Sequence, residues 1–285
     1  MPMISLGGAP GSRLRLACCL LVIMAMPARA EPDTAGPMTD EWVFDVGSYF
    51  MASETGIRFD GYDGLEPGTR FRIEDVFSLD DEAVFRLEGA WRFKPRHSLR
   101  VMYFDSSRTN TQSIDQDIDF GDASFPMGSE VTLNFRFTVA ELAYRYSLMQ
   151  RENFELGGSI GVHNIRFKAG LGAMLAGSGG GSVSAEDTAS TKAPLPVVGL
   201  NAAWRLRRDF YLLAHGQFFQ LKYQHLDGGL EDYQAGLLWQ FSRHVGVGAA
   251  YNMFRLDVTS DDPEDFRGRL DWKYYGPQLF MRANF

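Results

Sequence analysis

Eleven charged residues fall on the polar side of segments in which apolar and polar side chains alternate. They are Asp45, Arg86, Glu88, Arg92, Arg100, Glu141, Arg145, Glu155, Arg205, Asp232 and Arg282. Gathered around one interior, charges of both signs can line a water-filled path and select ions, or neutralise one another into a plug. Reflecting the chain about Gln150 sets Arg145 opposite Glu155, an expected cross-strand ion pair. Reflecting it about Arg243 sets Gln234 opposite Asn252.

Covalent chemistry finds less support. Ser159 and His163 share a face of one segment, but four residues of strand separate their Cα atoms by about 13 Å, beyond nucleophile–base contact. His163 and His215 read as interior residues rather than general bases, because no partner is within evident reach. The run Gly177–Ser182 is followed by no helix and does not form a phosphate loop. Five histidines show no spacing typical of zinc, so neither metal nor cofactor is expected. His225 and Asp227, with Asp261, Asp262, Glu264 and Asp265, form an acidic cluster between segments, read as a solvated loop; the same reading applies to Asp115, Asp117, Asp119 and Asp122.

The elements that must position these residues begin with an export signal. Arg13 and Arg15 precede the apolar run Leu16–Met26, and Ala28–Arg29–Ala30 offers the small residues of a cleavage site, so residues 1–30 read as a signal peptide. Cys18 and Cys19 lie inside it, which leaves the exported chain without a thiol in an oxidising compartment. The sequence holds 28 basic and 36 acidic residues; losing Arg13, Arg15 and Arg29 leaves 25 basic, a net of −11. That balance excludes a nucleic-acid partner, which requires a basic surface. Residues 31–41, with Pro32, Gly36 and Pro37, form a short periplasmic lead.

From Trp42 to Phe285 ten segments alternate with period two: 42–54, 83–94, 97–109, 131–147, 153–168, 194–207, 209–223, 229–242, 244–259 and 267–285. Each reaches the roughly 9–11 residues that a tilted strand needs to cross a bilayer, and no apolar run reaches the ~20 of a spanning helix. Tight turns at Lys94–His97, Leu148–Asn153, Arg207–Asp209 and Ser242–His244 alternate with longer links at 55–82, 110–130, 169–193, 224–228 and 260–266. The fold class expected is all-β: a transmembrane antiparallel β-barrel of about ten strands over 42–285, both termini periplasmic. The Gly-rich link 169–193 reads as a flexible external loop. In the fourth segment Phe135 and Phe137 conflict in parity with Leu142, Tyr144 and Tyr146, which predicts a bulge between them.

The last stretch sets Leu279, Met281, Ala283 and terminal Phe285 on one face, against Gln278, Arg282 and Asn284. Together with the signal peptide and the turn lengths, it resembles the small outer-membrane β-barrels of Gram-negative bacteria. Ile118–Asp122 with Phe125–Gly128 is similar to a loop of uncharacterised members. The resemblance implies an outer-membrane location, lipid and lipopolysaccharide contact, and recognition of Phe285 by the barrel-assembly machinery. Barrels of about eight strands are filled by side chains and those of 16–18 are open, so ten strands favour a filled lumen over a narrow pore. The leading reading is a structural or narrow-pore barrel whose external loops contact ligands or surfaces, and the oligomeric state stays open. Its competitors are an outer-membrane hydrolase and an adhesin. Ten-stranded proteases of the omptin kind pair external acids with a histidine, as His225 and its acidic neighbours could, although their motifs are missing here. A Ca²⁺ bridge from the acidic loops to lipopolysaccharide is a third reading.

Overall fold

Above and below the bilayer surface, a barrel wall meets opposite solvents, and this decides which side chains each strand must carry on each face. The computed structural model describes residues 38–60, 68–77, 81–176, 182–223, 226–261 and 267–285. In chain order the elements are β1 (Trp42–Phe59), β2 (Phe71–Arg72), α1 (Ile73–Phe77), β3 (Glu82–Lys94), β4 (His97–Ser113), β5 (Ile118–Phe120), β6 (Ala123–Phe125) and β7 (Glu130–Arg151). There follow β8 (Phe154–Ala176), β9 (Ser182–Arg207), β10 (Phe210–Tyr223), β11 (Leu226–Trp239), β12 (Val245–Asp261) and β13 (Arg267–Asn284). Ten of these strands form one antiparallel wall, each beside its neighbour in the chain, and β13 closes on β1. The closure leaves no sheet edge, since Asp45 faces Arg282 in register and Trp42 and Phe285 exchange backbone hydrogen bonds at 2.9 Å.

A belt of exposed apolar side chains circles the wall. Phe85, Val101, Leu142, Ile160, Leu200, Leu237 and Met281 point outward within it. Trp91, Trp204, Phe210, Trp239 and Phe285 mark its periplasmic rim, where amphipathic rings favour the membrane–water boundary.

The strands run well past this belt. β9 has 26 residues, against the 9–11 or so that a span requires, and β8 and β9 absorb most of the segment expected as a flexible loop. Its Gly-rich tip, 177–181, lies outside the described residues, as do residues 1–37, 224–225 and 262–266.

β7 shows what changes outside the membrane. Its odd-numbered residues face inward along the external half: Val131, Leu133, Phe135, Phe137 and Val139 are buried, while Thr132, Asn134 and Arg136 face outward. Lower down the same inward side carries Glu141, and Leu142 and Tyr146 face lipid. The expected bulge between Phe137 and Leu142 is therefore corrected: geometry never switches, the solvents do. Water bathes the outside above the bilayer, so the apolar residues turn inward there. The bulge in this hairpin falls instead between Ser147 and Met149.

The external half of the lumen is thus a packed hydrophobic core. Ile73 and Phe77 of α1 and Ile118, Phe120 and Phe125 of the β5–β6 hairpin join it. β5 lies against β1 and β6 against β9, on opposite sides of the wall, so the hairpin crosses the external mouth. Gly121, at φ 61°, makes its tight turn and donates to the Phe59 carbonyl at 3.1 Å.

Candidate functional site

Below that core the inward faces of the strands bring ten of the eleven predicted charges into one layer. Its residues come from every part of the chain, because each strand contributes only its inward positions at membrane depth. Arg282 grips Asp45 with two hydrogen bonds of 2.7 and 2.5 Å. Glu88 accepts from Arg86 at 2.8 Å and from Arg100 at 2.5 Å, and Arg100 also binds Glu141. Arg92 holds Glu155 in a fork of 3.0 and 2.9 Å, and Ser147 donates to the same carboxylate. Gln234 donates to Asn252 at 2.8 Å, as the reflection of the sequence predicts.

Two placements differ from the sequence reading. Arg145 does not pair with Glu155: the hairpin turns at Glu152–Asn153 rather than at Gln150, so Glu155 lies opposite Gln150 and Arg145 opposite Ser159, the bulge at Ser147/Met149 moving the latter pairing by a single residue. Arg145 makes no hydrogen bond or ion pair with any described residue, and it lines a cavity of about 140 Å³ at the periplasmic end. Arg205 leaves the lumen, and its guanidinium bonds the Glu152 carbonyl at 2.7 Å at the periplasmic rim. Of the acidic rim cluster, His225, Asp262, Glu264 and Asp265 lie outside the described residues. Phe285 faces outward with its ring stacked on His244 at 5.4 Å.

A double-mutant cycle reads this rearrangement. Arg92 and Glu155, partly buried and bidentate, are expected to couple by about 1–3 kcal/mol, between exposed and buried pairs. Arg145 and Glu155 are expected to couple by less than about 0.5 kcal/mol. Alanine cycles in reversible urea unfolding measure both, and the opposite ranking would restore a turn centred on Gln150.

A tighter cluster lies inside this layer. Glu141 and His163 are direct cross-strand partners on β7 and β8, while His215 and Asp232 come from β10 and β11. His163 Nε2 lies 3.9 Å from Glu141 Oε2 and 4.0 Å from Asp232 Oδ2; His215 Nε2 lies 3.8 Å from the same Asp232 oxygen. Gln217 fixes the arrangement, donating to Glu141 Oε1 and accepting from His163 Nε2, both at 2.8 Å. Spacing along a chain cannot reveal four residues on four strands.

Directly above sits an aromatic layer. Trp272 packs on Phe137 at 4.3 Å and Phe254 at 5.3 Å, and Phe254 stacks on Tyr274 at 4.6 Å. Tyr49 and Phe104 complete it, with Arg86 placing its guanidinium 5.9 Å from the Phe104 ring. Arg86, Tyr49, Phe104, Phe137, Phe254, Trp272 and Tyr274 are all fully buried, at the junction of the polar layer and the external core.

Outside the barrel, above the belt, the wall turns charged. Arg70, Arg72, Arg255, Arg269 and Lys273, with Glu54, Asp257 and Asp271, line a groove of about 710 Å³. Partial burial, with a hydrogen bond shared with Asp271, raises the Asp257 carboxyl above its usual range. Burial works the same way on Asp271, but hydrogen bonds from Arg269 outweigh it and hold that carboxyl low.

A closed barrel with a lipid-facing belt, aromatic rims and a polar lumen layer defines an integral outer-membrane β-barrel. No protein-family model matches the chain, and no curated protein matches it. Among solved structures it is similar to the outer membrane protease OmpT from Escherichia coli, with a TM-score of 0.58 and 13% identity over 87% of this chain and 97% of that one. The toluene transporter TodX of Pseudomonas putida aligns with a TM-score of 0.35 and 9% identity over 88% and 93% of the two chains. Ail, the attachment invasion locus protein of Yersinia pestis, aligns at 0.34 and 14% over 86% and 99%. The OmpT likeness is one of fold.

Proposed function

We propose that this chain is a structural outer-membrane barrel with a plugged lumen, whose external wall contacts lipopolysaccharide. The observation that carries the plugged reading is the aromatic layer of Phe104, Phe137, Phe254, Trp272 and Tyr274 above a charge-matched polar layer. A path for ions would have to cross both. The groove of Arg70, Arg72, Arg255, Arg269 and Lys273 supports lipopolysaccharide contact, because guanidinium forks suit phosphate at the level where headgroups lie. In this reading residues 1–30 are the export signal and the exported chain begins at Glu31. Planar-bilayer recording of the folded barrel tests the plug: silence or brief small events are expected, and large steady single-channel currents would sink it.

Recognition of the closing strand by the barrel-assembly machinery belongs to the same reading. Phe285 projects its ring outward while its backbone pairs with Trp42, so the side chain is free to be read before closure. Deleting Phe285 is expected to lower insertion yield several-fold in cells while changing the unfolding midpoint of inserted protein little. Heat-modifiable gel mobility at low expression measures the yield, and a wild-type yield would refute the role.

A further inference from the structure

We infer that the lumen holds a divalent transition metal, bound by the imidazoles of His163 and His215 and the carboxylate of Asp232, with Glu141 at the fourth corner. The inference starts from a buried carboxylate that no arginine among the described residues reaches within ion-pair distance. Four lumen carboxylates, Asp45, Glu88, Glu141 and Glu155, are each gripped by arginine. Asp232 is as deeply buried, yet among the described residues only the two imidazoles approach it within ion-pair distance. A desolvated carboxylate left in that state is costly.

Two unpaired atoms sharpen the point. Asp232 Oδ2 and His215 Nε2 are both buried without a hydrogen-bond partner, and at 3.8 Å they are too far apart to satisfy each other. A cation between them satisfies both. The ligand atoms of Glu141, His163 and Asp232 lie within 4.8 Å of one another. Ligands at about 2.1 Å around tetrahedral zinc lie about 3.4 Å apart, so closing pairs of 3.8, 3.9 and 4.0 Å takes small side-chain rotations.

The donor set names the class of ion. Imidazole with carboxylate suits Zn²⁺ and its first-row neighbours, whereas Ca²⁺ and Mg²⁺ prefer cages of oxygen alone. Around it the structure has the supports that metal sites use. Glu141 is anchored by Arg100 and Gln217, and Gly199 leaves room for the Gln217 side chain, where a Cβ would come within 2.7 Å of its Cγ. Because the Gln217 amide nitrogen is committed to Glu141, its oxygen takes the proton of His163 Nε2. Metal binding takes the other neutral tautomer, in which that proton sits on Nδ1, a nitrogen buried without a partner, and the Nε2 lone pair forms the bond to the ion.

The entry path is periplasmic. The cavity at that end is lined by His215 on its inner side and by Asp40, Glu41, Asp45 and Glu155 among its walls. The aromatic layer blocks the external side, so a bound ion would tie β7, β8, β10 and β11 together rather than pass through.

The detergent-folded barrel, stripped with chelator and titrated with CoCl₂, tests the inference. Expected are one Co²⁺ per chain, the intense visible bands of a four-coordinate nitrogen and oxygen site, displacement by Zn²⁺, and a raised thermal midpoint with Zn²⁺. The double variant His163→Gln/His215→Gln, shown to be folded by heat-modifiable mobility, is expected to lose affinity by about 100-fold or more. Only the weak spectrum of hydrated Co²⁺ from the wild type would overturn the site. Bands retained in the double variant would overturn it too, placing the ion on other histidines such as His97 or His244. If the double variant does not fold, Asp232→Asn, which keeps the volume, is expected to weaken binding about 10–100-fold, and unchanged affinity would overturn the site.

Discussion

Arg100→Ala is expected to destabilise the barrel by about 3–5 kcal/mol, because it strips buried Glu141 of its arginine and leaves Glu88 with Arg86 alone. Arg100 joins Glu88 and Glu141 across β3, β4 and β7 and is itself buried. Adding Glu141→Gln to the same chain is expected to recover part of the loss, since the carboxylate left without an arginine is then gone. Urea unfolding of the detergent-folded protein measures both steps. A loss below about 1 kcal/mol would mean that the layer is wet enough to screen its charges as surface pairs are screened.

Trp272→Ala attacks the seal from the other side. The indole is the largest fully buried side chain, wedged among Phe137, Phe254 and Tyr274. Removing it leaves a cavity in close-packed surroundings, at an expected cost of about 3–5 kcal/mol. It also thins the barrier between the polar layer and the external mouth, so bilayer recordings of the variant are expected to show flickering currents missing from the wild type. Full stability together with silence would show that the seal lies elsewhere, at α1 or the β5–β6 hairpin.

Alternation of side chains made the ten strands and their order legible, because lipid on one side and a polar lumen on the other impose a strict period of two. Gln234 opposite Asn252 follows from that logic and a tight turn, with no bulge to disturb it. Arg145 opposite Glu155 fails because the hairpin turns at Glu152–Asn153, past the centre read at Gln150, and nothing in the composition of that stretch marks which residues make the turn. The apparent parity fault at Phe135 and Phe137 arose from assuming that apolar residues always face lipid. Nothing local distinguishes a Phe facing lipid from a Phe facing a core; only the depth of the residue does. The cluster of Glu141, His163, His215 and Asp232 was invisible for another reason, since ligands on four strands converge only when the wall curves shut.

The exchange of faces along β7 also bears on the journey before insertion. Until the barrel closes, Val131, Phe135 and Phe137 have no core and Leu142 and Tyr146 have no lipid, so one unfolded segment exposes two sticky stripes in tandem. A barrel with a polar lumen throughout would expose a single stripe. On export, this chain is expected to carry more uncovered apolar surface per strand and so to lean more heavily on holding chaperones that keep it from self-association.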